Sequence, residues 1–490
     1  MQKTTKLKTK KELIKALSVF HFAAQNVPAY QDFLKQNRIN NKKIKKLNEF
    51  FTIPITNKKN YLEKYSFFDF LPNRKVFPLA YASSGSSGKP TFWLRGDKQE
   101  RLGAKIHKII FKNIFNLKKD EPSLMIICFS MGIWVAGGYT LSACNKIARD
   151  GYQLTTITPG IEKEDIFYIF KHLAPLFNKI ILAGYPPFLM DIVVEISKRK
   201  IIPKKDIKII TAGDNFSEEW RATIASLLQI KKPEHSIIGI YGSADAGAMG
   251  HETPLSIFIR KTAIKNKNLR QALFGKEKNL PAFIQYNPND IFFEENQKEL
   301  IFTTETAIPL IRYNIHDIGN IFTHNQVKKI LQEHKLESLA INYGLNQWRL
   351  PFIVKKGRTD VAVTFYAINI YPNNIKSGLE NKKIAKLVSG KFFAFNKTTF
   401  QQKKQKLYIE IELAPRISPK KKILTLIKNS VVENLMKLNI EYRKLCSVLG
   451  KSAHPTLRLI SFGQKDFQQQ KFGGVLTLVG KKPRVLNLQN

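Results

Sequence analysis

Cysteine is nearly missing from this chain. Cys128, Cys144 and Cys446 are the only three in 490 residues, and they lie far apart. That excludes a disulfide framework and a cysteine-rich zinc site, and it fits a reducing compartment such as the cytoplasm. Acidic residues are also scarce: 38 Asp and Glu stand against 80 Lys and Arg, a formal net charge of +42. Such a surplus attracts nucleic acid or anionic lipid. Yet the lysines are spread along the whole chain. Clusters such as Lys42-Lys43 with Lys45-Lys46, or Lys420-Lys421-Lys422, carry no aromatic–basic recognition pattern. Charge runs of this kind are usually solvated faces, so nucleic-acid binding is not the expected principal role. No obligate protein partner is evident. No continuous apolar run follows the basic N-terminus, so no signal peptide is expected. One charge-free stretch, Ser123 to Cys144, is long enough to be tested as a membrane span. It opens on the strand-like Leu124–Phe129, and Gly132, Gly137 and Gly138 interrupt it. A buried strand, a glycine-bearing turn and a buried helix account for it without lipid.

Hydrophobic residues make up 43% of the chain, which predicts a folded protein whose length allows more than one domain. Residues 11–36 read as one helix, and 97–117 as a second, amphipathic one. Strand-like runs near 124–129, 153–158, 179–183, 207–212 and 236–240 then alternate with helical runs near 135–149, 162–177, 186–198 and 217–229. This predicts a layered α/β architecture with parallel strands. From about 282 to 323 the pattern changes to shorter strands. The polar, turn-like Lys355-Lys356-Gly357-Arg358-Thr359-Asp360 is the best boundary. It gives a large α/β domain over 1–357 and a small α/β domain over 358–490.

The most informative run is Tyr81-Ala82-Ser83-Ser84-Gly85-Ser86-Ser87-Gly88-Lys89-Pro90-Thr91, which follows the apolar Phe77-Pro78-Leu79-Ala80. Glycines let a backbone turn tightly around a ligand. Hydroxyls, turned amides and a lysine suit phosphate oxygens. The spacing is not that of a Walker A loop. A Ser/Gly-rich surface linker is the bland alternative, but it would not call for the Lys-Pro-Thr ending or the apolar run before it.

This segment resembles the Ser/Thr/Gly-rich nucleotide loop of the adenylate-forming superfamily, which includes acyl-CoA synthetases and peptide-synthetase adenylation domains. The resemblance implies that Ser84, Gly85, Ser86, Ser87, Gly88, Lys89 and Thr91 hold the β- and γ-phosphates of ATP. Five later segments match in chain order. Thr211-Ala212-Gly213-Asp214 resembles the family's Gly-Glu pair beside adenine, with Asp214 in place of Glu. Tyr241-Gly242-Ser243-Ala244-Asp245 resembles Tyr-Gly-x-[ST]-Glu, which implies that Tyr241 stacks on adenine. Asp245 then serves Mg²⁺, directly or through a water, since that ion demands hard oxygen ligands. Arg312-Tyr313-Asn314-Ile315-His316-Asp317 resembles Arg-Tyr-x-x-Gly-Asp. Asp317 then accepts hydrogen bonds from the ribose hydroxyls, and His316 stands where Gly or a small residue is usual. Gly357-Arg358-Thr359-Asp360 resembles the hinge on which a mobile C-terminal domain turns. Asp360 is the pivot and Arg358 approaches the nucleotide. Ala367 replaces a glycine near the pantetheine tunnel. Gly480-Lys481-Lys482-Pro483-Arg484 resembles the terminal segment whose lysine contacts the acyl carboxylate and α-phosphate. Lys481 takes that role, with Lys482 as the register alternative.

The resemblance covers roughly residues 81 to 485, and its closest flavour is the phenylacetate–CoA ligase-like branch. In that branch the acyl pocket forms around 129–137 and 183–188. Trp134, Tyr185 and Phe188 become wall candidates, though ordinary core packing explains such aromatics equally well. The implied activity is ATP-dependent conversion of a small carboxylic acid to an acyl-adenylate and then to a CoA thioester. Transfer to an amine or a carrier-protein thiol is the alternative. Gly250-His251-Glu252 offers a metal pair only on paper, lacking nearby cysteines or a second histidine.

Overall fold

The computed structural model describes residues 10–82, 91–275, 280–358, 363–365, 368–399, 404–464 and 476–477. Two compact units make up the chain, with the change from one to the other between Gly357 and Arg358.

The first unit is organised by one large sheet. Its strands are β3 (Ser123–Cys128), β4 (Leu154–Ile157), β5 (Lys179–Gly184), β6 (Asp206–Ala212), β7 (Ile237–Ser243), β8 (Gly247–His251), β9 (Ala282–Gln285), β10 (Ile291–Asn296), β11 (Glu299–Thr304), β12 (Leu310–Phe322) and β13 (Phe352–Arg358). A separate antiparallel hairpin, β1 (Leu79–Ala82) with β2 (Phe92–Arg95), precedes them. The spatial order is β10-β11-β12-β13-β9-β8-β7-β6-β5-β3-β4. Strands β3 to β7 pair in parallel, connected by helices. From β8 onward the recorded pairings with β7, β9, β11 and β13 are antiparallel. The expected α/β class is therefore borne out, with an antiparallel half added to the parallel one.

Sequence patterns explain the parallel half. β3 is buried at every position, and Leu124, Met125 and Ile126 are 0% exposed. A strand covered by helices on both faces has no solvent face to mark with polar residues. Each such side chain is worth ~1.5–3 kcal/mol of transfer free energy. The helices Val135–Arg149 and Pro186–Lys198 fall where their periodicity put them. The charge-free stretch resolves into β3, a turn at Gly132 and the helix from Val135. No helix among the described residues is long and apolar enough to cross a membrane.

Three expectations need correction. The first helix is two, Lys10–Asn26 and Pro28–Gln36, parted at Val27 with extended φ −110° and ψ 107°. Proline at 28 has no N–H to donate and pushes the preceding residue out of the helical region. Second, not every strand after 282 is short, since β12 runs for 13 residues. Third, Lys355 and Lys356 lie inside β13 and not in a turn. Phe352, Ile353 and Val354, immediately before these lysines, are fully buried, and that apolar start of the strand is what a polar-composition reading overlooked.

The second unit holds a four-stranded sheet ordered Thr456–Ile460, Lys404–Leu413, Val388–Thr399, Leu476–Thr477. Helices Pro372–Leu379, Lys421–Leu438 and Ile440–Leu449 accompany it. Its core gathers Phe392, Ile409, Ile411, Ile427, Val431 and Leu435.

Candidate active site

Parallel pairing lines up the strand ends. Cys128 pairs with Gly184, Gly184 with Thr211, and Ala212 with Ile240. The residues that follow or close these strands therefore lie along one rim: the 129–134 turn, Tyr185, Gly213–Asp214 and Tyr241–Asp245. Carboxyl ends of parallel strands are where open α/β sheets bind ligands, because the connecting loops splay there.

The rim contains a cleft lined by Gly213, Asp214, Tyr241, Gly242, Glu252 and Lys355, among others. Gly213 has φ +95°, and a Cβ there would come within 3.3 Å of the Tyr185 ring. Only glycine meets both demands without strain. A Cβ at Gly242 would approach the Gly247 carbonyl oxygen to 2.6 Å, so the chain can reverse there only without a side chain.

Two motifs far apart in sequence meet directly. The Tyr241 hydroxyl donates to Asp317 Oδ2 at 2.6 Å, with both residues buried. Lys355 Nζ lies 3.8 Å from Asp317 Oδ1 and 5.6 Å from the centroid of the Tyr241 ring. The Lys355 carbonyl accepts a hydrogen bond from Asn215 Nδ2 at 3.4 Å. One lysine thus adjoins the Gly213–Asn215 loop, Tyr241 and Asp317. Asp317 follows His316, whose φ of +65° is left-handed. His316 stands where the resembling segment has glycine, so the backbone geometry is kept with a side chain that tolerates it better than most. His316 Nδ1 contacts Glu299 Oε1 at 3.2 Å.

A buried ion cluster underlies the cleft. Glu252 meets Arg221 Nη2 at 2.8 Å and Arg260 Nη1 at 3.2 Å, while Glu218 meets Arg221 Nε at 2.9 Å and Arg260 Nη1 at 3.0 Å. Burial opposes these charges, but the facing partners outweigh it. Glu218 is held below the usual carboxylate range and Arg221 above the usual guanidinium range. The cluster also grips the backbone. Gly239 N–H donates to Glu252 Oε2 at 2.8 Å, and Arg260 donates to the Phe216 carbonyl at 2.5 Å. Glu252 is therefore a structural ion and not half of a metal pair. Burial pushes its neighbour His251 down to about 4, and that ring sits against the Glu252 carbonyl at 2.7 Å. Among the described residues no group of three His, Cys, Asp or Glu could hold a metal ion.

Asp245 is buried at the β7–β8 turn. Arg95, at the end of β2, donates to the Ala244 carbonyl at 2.5 Å and reaches the Asp245 carbonyl at 3.4 Å. Arg95 is 1% exposed, and burial lowers its pKa against the pull of Tyr139 and Asp245. The hairpin that frames residues 83–90 is thereby fixed to the turn that carries Asp245. Its other strand is fixed too: Ala82 N–H donates to the Ile133 carbonyl at 2.7 Å, and Ala82 bridges to Trp134.

Sequence-expected residues divide accordingly. Gly213, Asp214, Tyr241 and Gly242 share the cleft, and Asp317 is bonded to it through Tyr241. Ser243 closes β7, where its Oγ accepts from Ala246 N–H at 3.1 Å. Trp134 and Tyr185 are half-buried at helix starts on the rim. Phe188 is 1% exposed, with Lys163 Nζ 6.0 Å from its ring centroid, which is an interior position. Thr91 immediately precedes β2, and Arg358 ends β13. Ser84, Gly85, Ser86, Ser87, Gly88, Lys89, Asp360, Ala367, Lys481 and Lys482 lie outside the described residues. Sequence reasoning missed Arg95, Arg221, Arg260 and Lys355. For Arg95 the signal was available: a lone charge ending the apolar Phe92-Trp93-Leu94 run.

No family model matches the chain. Among curated proteins it is 22% identical to a phenylacetate–coenzyme A ligase of Aromatoleum evansii over 62% of this chain and 64% of that enzyme. It is 21% identical to a phenylacetate–coenzyme A ligase of Thermus thermophilus over 73% of this chain and 72% of that enzyme. The matched stretch thus spans less than two thirds of the first of these relatives. Among solved structures, a 2-hydroxyisobutyryl-CoA ligase in its post-adenylation state superposes with a TM-score of 0.61 and 14% identity, covering 95% of this chain and 88% of that one. In sequence the chain is thus similar to phenylacetate–coenzyme A ligases, and in fold to an acyl-CoA ligase that forms an acyl-adenylate.

Proposed function

We propose that this protein activates a small carboxylic acid with ATP, forming an acyl-adenylate, and then transfers the acyl group to coenzyme A. The observation that carries this reading is the direct 2.6 Å bond between Tyr241 and Asp317 beside the Gly213–Asp214 loop. An aromatic face, a buried carboxylate and a glycine-lined cleft suit an adenine, a ribose diol and a close backbone approach, respectively. Relatives with this activity by name support the same reading.

In the first half-reaction a carboxylate oxygen of the acid attacks the α-phosphorus of ATP. The bond to the bridging oxygen breaks, and pyrophosphate leaves. In the second, the thiolate of CoA attacks the acyl carbonyl, and AMP leaves with the phosphate oxygen. The protein's task is alignment and charge neutralisation. Tyr241 and Asp317 hold the nucleoside. Ser84–Thr91 and Lys481 are assigned to the phosphates, and Arg358 and Asp360 to the change between half-reactions. Asp245 offers the single hard carboxylate that a magnesium–nucleotide complex needs from protein; bound there, Mg²⁺ would neutralise phosphate charge. Trp134 and Tyr185 are assigned to the acid pocket.

The test is carboxylate-dependent ATP–pyrophosphate exchange over a panel of aryl, arylacetic and short-chain acids, followed by thioester formation with CoA. Exchange with at least one acid and a thioester product are expected. Absence of exchange with every acid refutes the adenylation. Exchange without thioester assigns the acyl group to an amine or carrier thiol instead.

A further inference from the structure

We infer that Lys355 is a specificity-determining residue for the ribose end of the nucleotide, an inference that rests on the proposed nucleotide site. Lys355 lies in β13, is half-buried, and its side chain turns toward the cleft that Gly213, Asp214 and Tyr241 also line. Its ammonium stands 3.8 Å from Asp317 Oδ1, while Asp317 Oδ2 takes the Tyr241 hydroxyl at 2.6 Å. The carboxylate is thus addressed at both oxygens, and its orientation is set before any ligand arrives. A 3.8 Å gap is an ion-pair distance but longer than a good hydrogen bond. It leaves the ammonium donors able to turn toward a third oxygen nearby. A ribose diol supplies such oxygens: a hydroxyl can donate to Asp317 while its lone pair accepts from Lys355. The ammonium also faces the Tyr241 ring at 5.6 Å, so stacking of a base on that ring and the position of the ammonium are linked. Lys355 therefore recognises a vicinal diol next to a stacked base, and a nucleotide lacking that diol has no use for it.

The experiment compares Lys355→Met and Lys355→Arg with the parent, using ATP and 2′,3′-dideoxy-ATP in pyrophosphate exchange. Loss of one charge-assisted hydrogen bond predicts a rise in KM for ATP on the order of tenfold in Lys355→Met, with kcat changed less than about twofold. For the dideoxy nucleotide, KM should not change. Lys355→Arg keeps the charge and should stay within about threefold of the parent for ATP. An unchanged KM for ATP, or an equal rise for both nucleotides, overturns the assignment. A lower KM for ATP in Lys355→Met also overturns it, since the ammonium would then be competing with the ribose. A fully inactive parent would sink the proposed function instead. In that case calorimetric binding of AMP against 2′,3′-dideoxy-AMP tests Lys355 without any acid. A loss confined to AMP supports the assignment, and no difference overturns it.

Discussion

Replacing Tyr241 by Phe isolates a single hydroxyl at the centre of the site. The ring remains, so its 6.3 Å stacking on Phe293 and its contact with the Lys355 ammonium persist, and no cavity larger than one oxygen forms. What is lost is a buried hydrogen bond of 2.6 Å to a carboxylate. Bonds to charged groups contribute roughly 1.5–3 kcal/mol, and Lys355 stays nearby to compensate partly, so a loss of about 2 kcal/mol is expected. The chain provides its own probe. All four tryptophans, Trp93, Trp134, Trp220 and Trp348, precede Gly357 and so report on the first unit alone. Urea unfolding followed by tryptophan fluorescence therefore avoids mixing two units into one transition. A cycle with Asp317→Asn should return a coupling energy of about 1–2 kcal/mol, since the two side chains touch. A Phe variant within about 0.5 kcal/mol of the parent, or a coupling energy near zero, would show that the bond does not organise the site.

Other outcomes follow from the same geometry. Glu252→Gln should cost roughly 3–5 kcal/mol in the same fluorescence assay, because Arg221 and Arg260 would be left buried with one partner fewer. His251 has its pKa depressed to about 4 by burial, so the unfolded chain binds its proton first as pH falls. Stability should be complete above about pH 6.5 and fall by ~3 kcal/mol down to about pH 4. His251→Asn should flatten that part of the urea-midpoint profile, and an unchanged profile would assign it elsewhere. At position 316, with φ +65°, Gly should be more stable than Ala by ~1 kcal/mol, the reverse of the ordinary helix or strand order; equal midpoints for the two variants would deny the left-handed strain.

Much of the parallel half was legible because its strands and helices carry periodicities that tertiary contacts do not override. The helix Val135–Arg149 shows this, and so does β3, where burial on both faces leaves a continuous apolar run. The break at Val27 was also written in the sequence, as the proline that follows it. Positions in β13 were harder to read, because a strand bearing Lys355 and Lys356 looks like a turn until Val354 is seen buried. The site was legible as motifs and not as contacts. Gly213, Tyr241 and Asp317 could each be named, but spacing along the chain says nothing about a bond between residues 241 and 317. Arg221 and Arg260 were invisible for a related reason. Each reads as an exposed helix charge until the helices Glu218–Leu227 and Pro254–Lys265 and the residue after β8 are folded onto one another.

The Glu218–Arg221–Glu252–Arg260 cluster has an electrical consequence. Two carboxylates and two guanidiniums cancel, so this part of the interior is neutral in a chain whose formal charge is +42. The imbalance must then reside mainly on the solvent-facing side, where dissolved ions reach it and interior pairs are shielded from them. Added salt should therefore firm the fold by quieting lysine–lysine repulsion, while leaving the clamp under the cleft untouched.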